Sequence, residues 1–443
     1  MKRDRFLKSS LTLIFANLIT SIFAFIFSII LSRKLGAEGM GLYGLIMPVY
    51  DLFVCLISGG MITALSKVAA VYFSKDDFNN LNNSIDVSLT FNSVLATFIV
   101  CIIFINAPYI GVKIIKDPRA IHAIQVMCPG IFFIALSSIL KGYFYGISQV
   151  KIPAFIDISE KFLRITIIIF IITLFCLKDI RSTVTAAYIT LAIGEFISFI
   201  ILYIMYKIKK KKLGFNNSYY EDKLQLLFNI LVISFPLCLN GFLTTALSAI
   251  STLIVPRRLV ASGIEYNLAL SMIGKFDGMA LNIIFLPITI INSMSIVLIP
   301  DLSEKMSNRD YWAIENRVSQ IIKVSLLLGI VTMIICISMS GYLGELFYKR
   351  YDLDSYIRFA ALSAPVVFVS MATFGILNGI GKQNIILRNS LISSVLELVL
   401  IYILTGIPWI NIYGCGISLI ITYFTTLILN MREIIKENFY GYS

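Results

Sequence analysis

Histidine is almost missing from this chain. His122 stands alone among 443 residues, so no histidine-rich metal centre can form, and a single histidine near a helix end is ordinarily structural. Seven cysteines (Cys55, Cys101, Cys128, Cys176, Cys238, Cys336 and Cys415) all lie in apolar runs with no CxxC or metal-binding spacing, which reads as packing rather than chemistry. Charge is scarce too. Only 14% of the residues are charged and 58% are hydrophobic, whereas a soluble globular chain carries about 25% charged residues. No water-soluble fold hides that much apolar surface.

What is present in quantity is long apolar sequence. Charge-free runs cover Ser9 to Ser32, Val87 to Val112, Ala120 to Leu140, Leu224 to Pro256, Gly278 to Pro300, Val324 to Gly344 and Phe359 to Gly381. Each is long enough for a hydrocarbon core about 30 Å thick, which needs roughly 20 helical residues. Runs broken by few charges lie near Leu42 to Ala64, Pro153 to Leu177 and Thr183 to Tyr206, and Gly406, Pro408 and Asn411 split Leu398 to Met431 into two. The expected fold is an all-α integral membrane protein of about twelve spans, because only helices satisfy such a backbone in lipid. The first run follows Lys2, Arg3, Arg5 and Lys8 but is longer than a signal-peptide core and has no small-x-small cleavage site, so it reads as a retained helix.

Threading from a cytoplasmic N-terminus puts 22 Lys and Arg residues on inner connections and 13 on outer ones. That bias favours both termini in the cytoplasm. The net charge of +12 is then accounted for by inner loops beside anionic membrane lipids, with no nucleic-acid partner. The polar stretch Lys207 to Lys223, with four consecutive lysines, reads as a cytoplasmic linker between an N-terminal bundle, 1–206, and a C-terminal bundle, 224–443.

The halves repeat. Gly142 and Gly146 answer Gly375 and Gly379 at a shift of 233, and Ser32-Arg33-Lys34-Leu35 answers Pro256-Arg257-Arg258-Leu259 at a shift of 224. Six spans per half make the duplication parallel, an architecture that holds substrate between its halves and works by alternating access. The glycine pairs have GxxxG spacing, which reads as close helix packing.

Few charges lie within the spans, and each needs a reason. The leading group is Asp157, Glu160, Lys161 and Arg164, spaced so that Asp157 with Lys161 and Glu160 with Arg164 form i,i+4 ion pairs. This group binds either each other near a helix end or a substrate charge or coupling cation in a cavity. Asp51, Glu195 and Glu397 stand singly, with Asp51 the strongest of the three as an ion site. Arg33, Lys34, Arg257 and Arg258 fall at matching helix ends on the outer side, where they either snorkel to the interface or meet a lipid diphosphate at the cavity mouth. No cofactor or nucleotide-hydrolysing motif is present, since Gly375 to Lys382 fails the phosphate-loop spacing and Gln383 stands where Ser or Thr is needed. Energy must come from a coupling cation, Na+ or H+, the membrane potential or the substrate's own gradient.

FLKSSLTLIFANLIT at the start, LGAEGMGLYGLIMP (Leu35 to Pro48), ISEKFLRI (Ile158 to Ile165), VPRRL (Val255 to Leu259) and GMALNIIFLP (Gly278 to Pro287) together resemble the stage V sporulation protein B family of polysaccharide-type flippases. That family lies within the multidrug, oligosaccharidyl-lipid and polysaccharide exporter superfamily and is related to the lipid II flippases. The resemblance implies a MATE-like, V-shaped pair of six-helix bundles in the bacterial cytoplasmic membrane. It implies movement of a lipid-linked saccharide or peptidoglycan precursor, with a glycan polymerase as a candidate partner. By position, Glu160 and Arg164 match the family's acid and arginine of the fifth helix, and Arg257 and Arg258 its paired arginines after the seventh. Ser21 and Ser28 depart from it, standing where basic residues are expected, and the chain stops after about twelve spans where many relatives have about fourteen. A drug/cation antiporter, with Asp51 or Glu160 as its coupling carboxylate, is the other transport reading. A polytopic glycan polymerase or ligase fits less well, because the outer loops are short and hold no paired carboxylates.

Overall fold

The computed structural model describes residues 2–175, 179–213, 221–307 and 310–436. Those residues form sixteen α-helices and two short π-helical segments, with no strand among them. The order is α1 (Lys2–Ser58), α2 (Met61–Ser74), α3 (Phe78–Tyr109), a π segment (Ile110–Ile115), α4 (Ala120–Gly146), α5 (Lys151–Leu174), α6 (Ile180–Leu213), α7 (Lys223–Ala261) and α8 (Tyr266–Lys275). A second π segment (Phe276–Ala280) follows, then α9 (Leu281–Phe285), α10 (Ile288–Ser307), α11 (Tyr311–Ser338), α12 (Ser340–Tyr348), α13 (Asp354–Ala361), α14 (Ala364–Gly379), α15 (Gln383–Leu404) and α16 (Tyr413–Lys436).

Among the described residues nine helices are long and apolar enough to cross a membrane, and ten if α13 and α14, bent by 46°, form one broken span. The count falls short of twelve for two local reasons. Thr12–Ser74 is one stretch of 63 residues, more than twice a bilayer's requirement of roughly 20, and it holds two spans either side of Gly36, whose φ of 68° and ψ of −173° break the helical path. Helix α5 is a spanning-length helix that carries Lys151, Asp157, Glu160, Lys161 and Arg164, too many charges for an apolar window. With both included, and with the broken α13–α14 span, the described residues hold twelve membrane-crossing runs, and the protein is a multi-pass membrane protein. Its outside is apolar, as lipid requires: Phe15, Ile105, Phe155, Leu224 and Phe235 are each at least 66% exposed.

The chain divides into two compact units, Met1–Ala16 with Leu45–Ala249, and Asn17–Gly44 with Ile250–Ser443. This partition differs from the expected cut at the 207–223 linker, because α1 and α7 each contribute to both units. Linker residues 214–220 lie outside the described ones, as does Cys176.

In the first unit α2, α3, α4 and α6 pack on a core that includes Met61, Leu65, Leu81, Tyr143, Phe144 and Tyr206. The rings of Tyr143 and Tyr206 meet edge to face, 5.1 Å between centroids. The glycine pair in α4 serves close packing: a Cβ on Gly146 would lie 2.7 Å from the carbonyl oxygen of Ser66 in α2. In the second unit Gly375 plays a comparable role, with its Cα facing the Ser295 side chain.

Two helix starts share the spacing of the expected repeat. Asp77 begins α3 with φ −85° and ψ 75° and accepts a hydrogen bond from the Asn80 amide at 3.1 Å. Asp310 begins α11 with φ −85° and ψ 73° and accepts from the Ala313 amide at 3.1 Å. The two caps are separated by the shift of 233 that relates the glycine pairs.

Candidate substrate site and its charge cluster

Helices α4, α5 and α6 bring six charged side chains together inside the first unit. On α5, a helix with few reasons to be amphipathic apart from these charges, Glu160 and Arg164 fall one turn apart and both point inward. Arg164 Nε and Nη2 donate to Glu160 Oε1 at 2.9 and 2.5 Å, and Lys161 Nζ meets Glu160 Oε2 at 3.0 Å. From α6, Glu195 Oε1 lies 3.5 Å from Arg164 Nη2. From α4, Lys141 Nζ pairs with Asp157 Oδ1 at 2.7 Å. Glu160, Arg164 and Glu195 are 5%, 9% and 7% exposed. Three acids face three bases, so burial is offset by a neutral whole.

Two neighbours shape the cluster. Gly194, one residue before Glu195, leaves the room Glu160 occupies, since a Cβ there would lie 2.6 Å from Glu160 Oε1. Tyr50, in the second span, is 4% exposed, and its hydroxyl is buried with no hydrogen-bond partner among the described residues. It lies within the electrostatic reach of Glu195, Arg164, Asp51 and Glu160.

The i,i+4 pair of Glu160 with Arg164 forms as expected, but Asp157 does not pair with Lys161. Asp157 instead takes Lys141 from the preceding helix, and Lys161 takes the adjacent Glu160, because inter-helix contact outcompetes the local spacing. Glu195, read as a weaker carboxylate than Asp51, is the one the fold adds to the cluster. Asp51 is exposed and makes no ion pair or hydrogen bond among the described residues. Lys141, Tyr50 and Gly194 were not legible as site residues, since only tertiary packing relates them to α5.

Of the four basic residues expected on the outer side, Arg33 and Arg258 are engaged within the second unit. Arg33 Nε and Nη2 donate to the carbonyls of Phe347 and Leu346 at 2.7 and 2.8 Å, capping the end of α12. Arg258 donates to the Tyr402 carbonyl at 2.8 Å and stacks 4.2 Å over that residue's ring, beside Gly406. Lys34 and Arg257 are exposed. Ser28, where a base was expected, accepts a hydrogen bond from Asn282 Nδ2 at 3.0 Å. Two further carboxylates of this unit interact electrostatically, Asp277 on the π segment and Glu397 on α15, and neither forms an ion pair among the described residues. Among those residues no group of three or more His, Cys, Asp and Glu is arranged to hold a metal ion.

The arrangement of these helices is the fold of MATE-type transporters. A multidrug resistance MATE family transporter of the MOP superfamily in its inward-facing conformation aligns over 98% of this chain and 100% of its own, with TM-score 0.76 at 17% identity. A MOP superfamily transporter from Pyrococcus furiosus, described as having a binding pocket of reverse polarity, aligns over 97% and 95% with TM-score 0.68 at 17% identity. The chain belongs to the polysaccharide biosynthesis protein family, whose pattern matches residues 6–306, and residues 277–403 also match MatE. That is a polysaccharide-type family, as expected from the five motifs. Stage V sporulation protein B of Bacillus subtilis (strain 168) is 25% identical over 439 residues, 98% of this chain and 85% of that protein. Lipid II flippase MurJ of the same organism is 21% identical over 468 residues, 99% and 84% respectively.

Proposed function

We propose that this protein is a flippase that carries a lipid-linked saccharide, of the peptidoglycan-precursor or oligosaccharide type, from the inner to the outer leaflet by alternating access. The observation that carries the reading is Arg164, an arginine held deep in a membrane helix by two carboxylates, in a chain of the polysaccharide biosynthesis family. A guanidinium is suited to phosphate because its planar fork grips two oxygens at once, and in a water-poor site that grip strengthens. A buried ion cluster is costly to build and stabilises little on its own, so it is retained for a task that uses its charge. The name of the relative Lipid II flippase MurJ supports the substrate class.

The inner side of the membrane then holds both termini and the 207–223 linker. The basic bias supports this, and so does chain order: Lys141 with Asp157 and Lys210 with Asp86 cluster at helix ends of one parity, Arg33 and Arg258 at ends of the other. A cation, Na+ or H+, supplies the drive, and a membrane-embedded polymerase consumes the product.

The match of residues 277–403 to MatE and the MATE-type fold favour one alternative, a drug/cation antiporter using Asp51, Glu160 or the Asp277 and Glu397 pair. Purified protein in vesicles separates the two readings. Fluorescent lipid-linked precursor placed in one leaflet should reach the other at a rate that Arg164→Gln abolishes. Transport of lipophilic cations with no precursor movement would overturn the flippase reading.

A further inference from the structure

The two carboxylates on Arg164 are not equivalent. Glu160 is locked: both Arg164 nitrogens bind its Oε1, Lys161 binds its Oε2, and the missing side chain at Gly194 seats it. Glu195 touches Arg164 at 3.5 Å only, the outer limit of a hydrogen bond, through a single oxygen and a single nitrogen. An anion arriving at Arg164 therefore displaces Glu195 and leaves Glu160 in place. Lys161, with 30% of its side chain exposed, marks the open edge of the cluster. A second, independent feature points to a ligand at this spot. The Tyr50 hydroxyl is fully buried and without a partner in the same neighbourhood, and a buried hydroxyl left unmade costs free energy that a bound group would recover.

We propose that Glu195 is an exchangeable counter-ion: a phosphate oxygen of the lipid-linked substrate replaces it on Arg164, Glu195 takes up one proton, and Tyr50 donates its hydroxyl hydrogen to the phosphate. This rests on the flippase reading above and adds how the site accepts charge. The groups facing Glu195 are Glu160, Lys161 and Arg164 from α5, Lys141 from α4 and Tyr50 from the second span, beside which lies Asp51. The charge balances. Before binding, Lys141, Lys161 and Arg164 offset Asp157, Glu160 and Glu195. After binding, the one phosphate charge that meets Arg164 stands in place of the Glu195 charge and the cluster is neutral again, while the second charge of the diphosphate stays hydrated at the open Lys161 edge. The bond formed is the Glu195 O–H and the bond broken is an O–H of a hydronium ion at the aqueous face, which leaves as water; nothing is oxidised or reduced. Without that proton the bound state would carry an extra buried negative charge, which the low-dielectric interior disfavours. Substrate binding and proton uptake are thereby one event, and release on the far side returns the proton there.

The test uses the full chain in lipid nanodiscs, titrated with a short-chain polyprenyl diphosphate from pH 6 to 8 in buffers of different ionisation enthalpy, with polyprenyl alcohol as the phosphate-free control. The parent should take up about one more proton per ligand than Glu195→Gln, and its affinity should fall about tenfold per pH unit more steeply than that of Glu195→Gln. Glu195→Gln should keep only the pH dependence of the diphosphate's own ionisation and match the parent's affinity at low pH. Tyr50→Phe should weaken binding several-fold and keep the parental pH slope. Binding by the parent with the same pH slope and proton count as Glu195→Gln would overturn the exchange while leaving the flippase reading intact. Equal binding of the alcohol and the diphosphate would overturn both.

Discussion

Replacing Arg164 by glutamine tests the cluster most directly, because the structure ranks its members. The guanidinium serves Glu160 at 2.5 and 2.9 Å and Glu195 at 3.5 Å. Its loss leaves Glu160 with Lys161 at 3.0 Å but leaves Glu195 with no ion-pair partner among the described residues. Breaking a buried pair by removing one partner costs about 3–5 kcal/mol through the stranded charge, so Arg164→Gln should fall in that range. Glu160→Gln leaves Arg164 beside Glu195 and Lys161 partly hydrated, and should cost about 2 kcal/mol, in the range of one charged hydrogen bond. The double substitution keeps an amide pair and strands less charge, so the coupling between the two sites should reach about 1.5 kcal/mol or more. Cys128 reports the result, since it is 1% exposed on α4 within the same unit. In a variant with Cys128 as the sole cysteine, its labelling by a thiol reagent is followed as the SDS fraction of mixed micelles rises. Additive single costs, or an Arg164→Gln cost no larger than that of Glu160→Gln, would refute the reasoning.

Gly194→Ala should mimic a loss of the pair without touching a charge, because the added Cβ must push Glu160 off Arg164; flipping should drop at least tenfold while Gly241→Ala, which meets only the Cys55 sulfur, changes it little, and equal effects would count against the assignment. Arg258→Lys should lower thermal stability by about 1 kcal/mol through loss of the Tyr402 stack and cap, with transport per folded molecule unchanged, which a flux assay normalised to protein checks. Asp352, in the connection between α12 and α13, is held well below the usual carboxylate range, chiefly by the Arg350 hydrogen bond and then by Lys275. A depressed carboxylate stabilises above its unfolded value of about 3.9 and loses that contribution as pH falls through the lower folded one, so Asp352→Asn should flatten the acid limb of a melting-temperature profile below about pH 4 and leave the profile's shape above pH 5 unchanged. Single cysteines placed in 207–223 of a cysteine-free variant should resist impermeant reagent added outside intact cells, and strong labelling there would reverse the orientation.

Composition and run length alone fixed the membrane, the helical class and about twelve spans, since the hydrocarbon thickness demands some 20 apolar residues per crossing and lipid tolerates no unpaired backbone. Local chemistry also gave the Glu160 and Arg164 pair, because a four-residue spacing on one helix needs no knowledge of its neighbours. The tertiary structure decided everything that depends on which helices touch. It took Asp157 from Lys161 and gave it to Lys141, raised Glu195 above Asp51, and placed Tyr50 and Gly194 beside a charge cluster that nothing in their own segments announces. It also turned Arg33 and Arg258 toward helix carbonyls far along the chain. The physical reason is range. Burial and helix formation are set by a residue's own side chain and its near neighbours, while the partner of a charge inside a membrane is whichever opposite charge packing brings within a few ångströms.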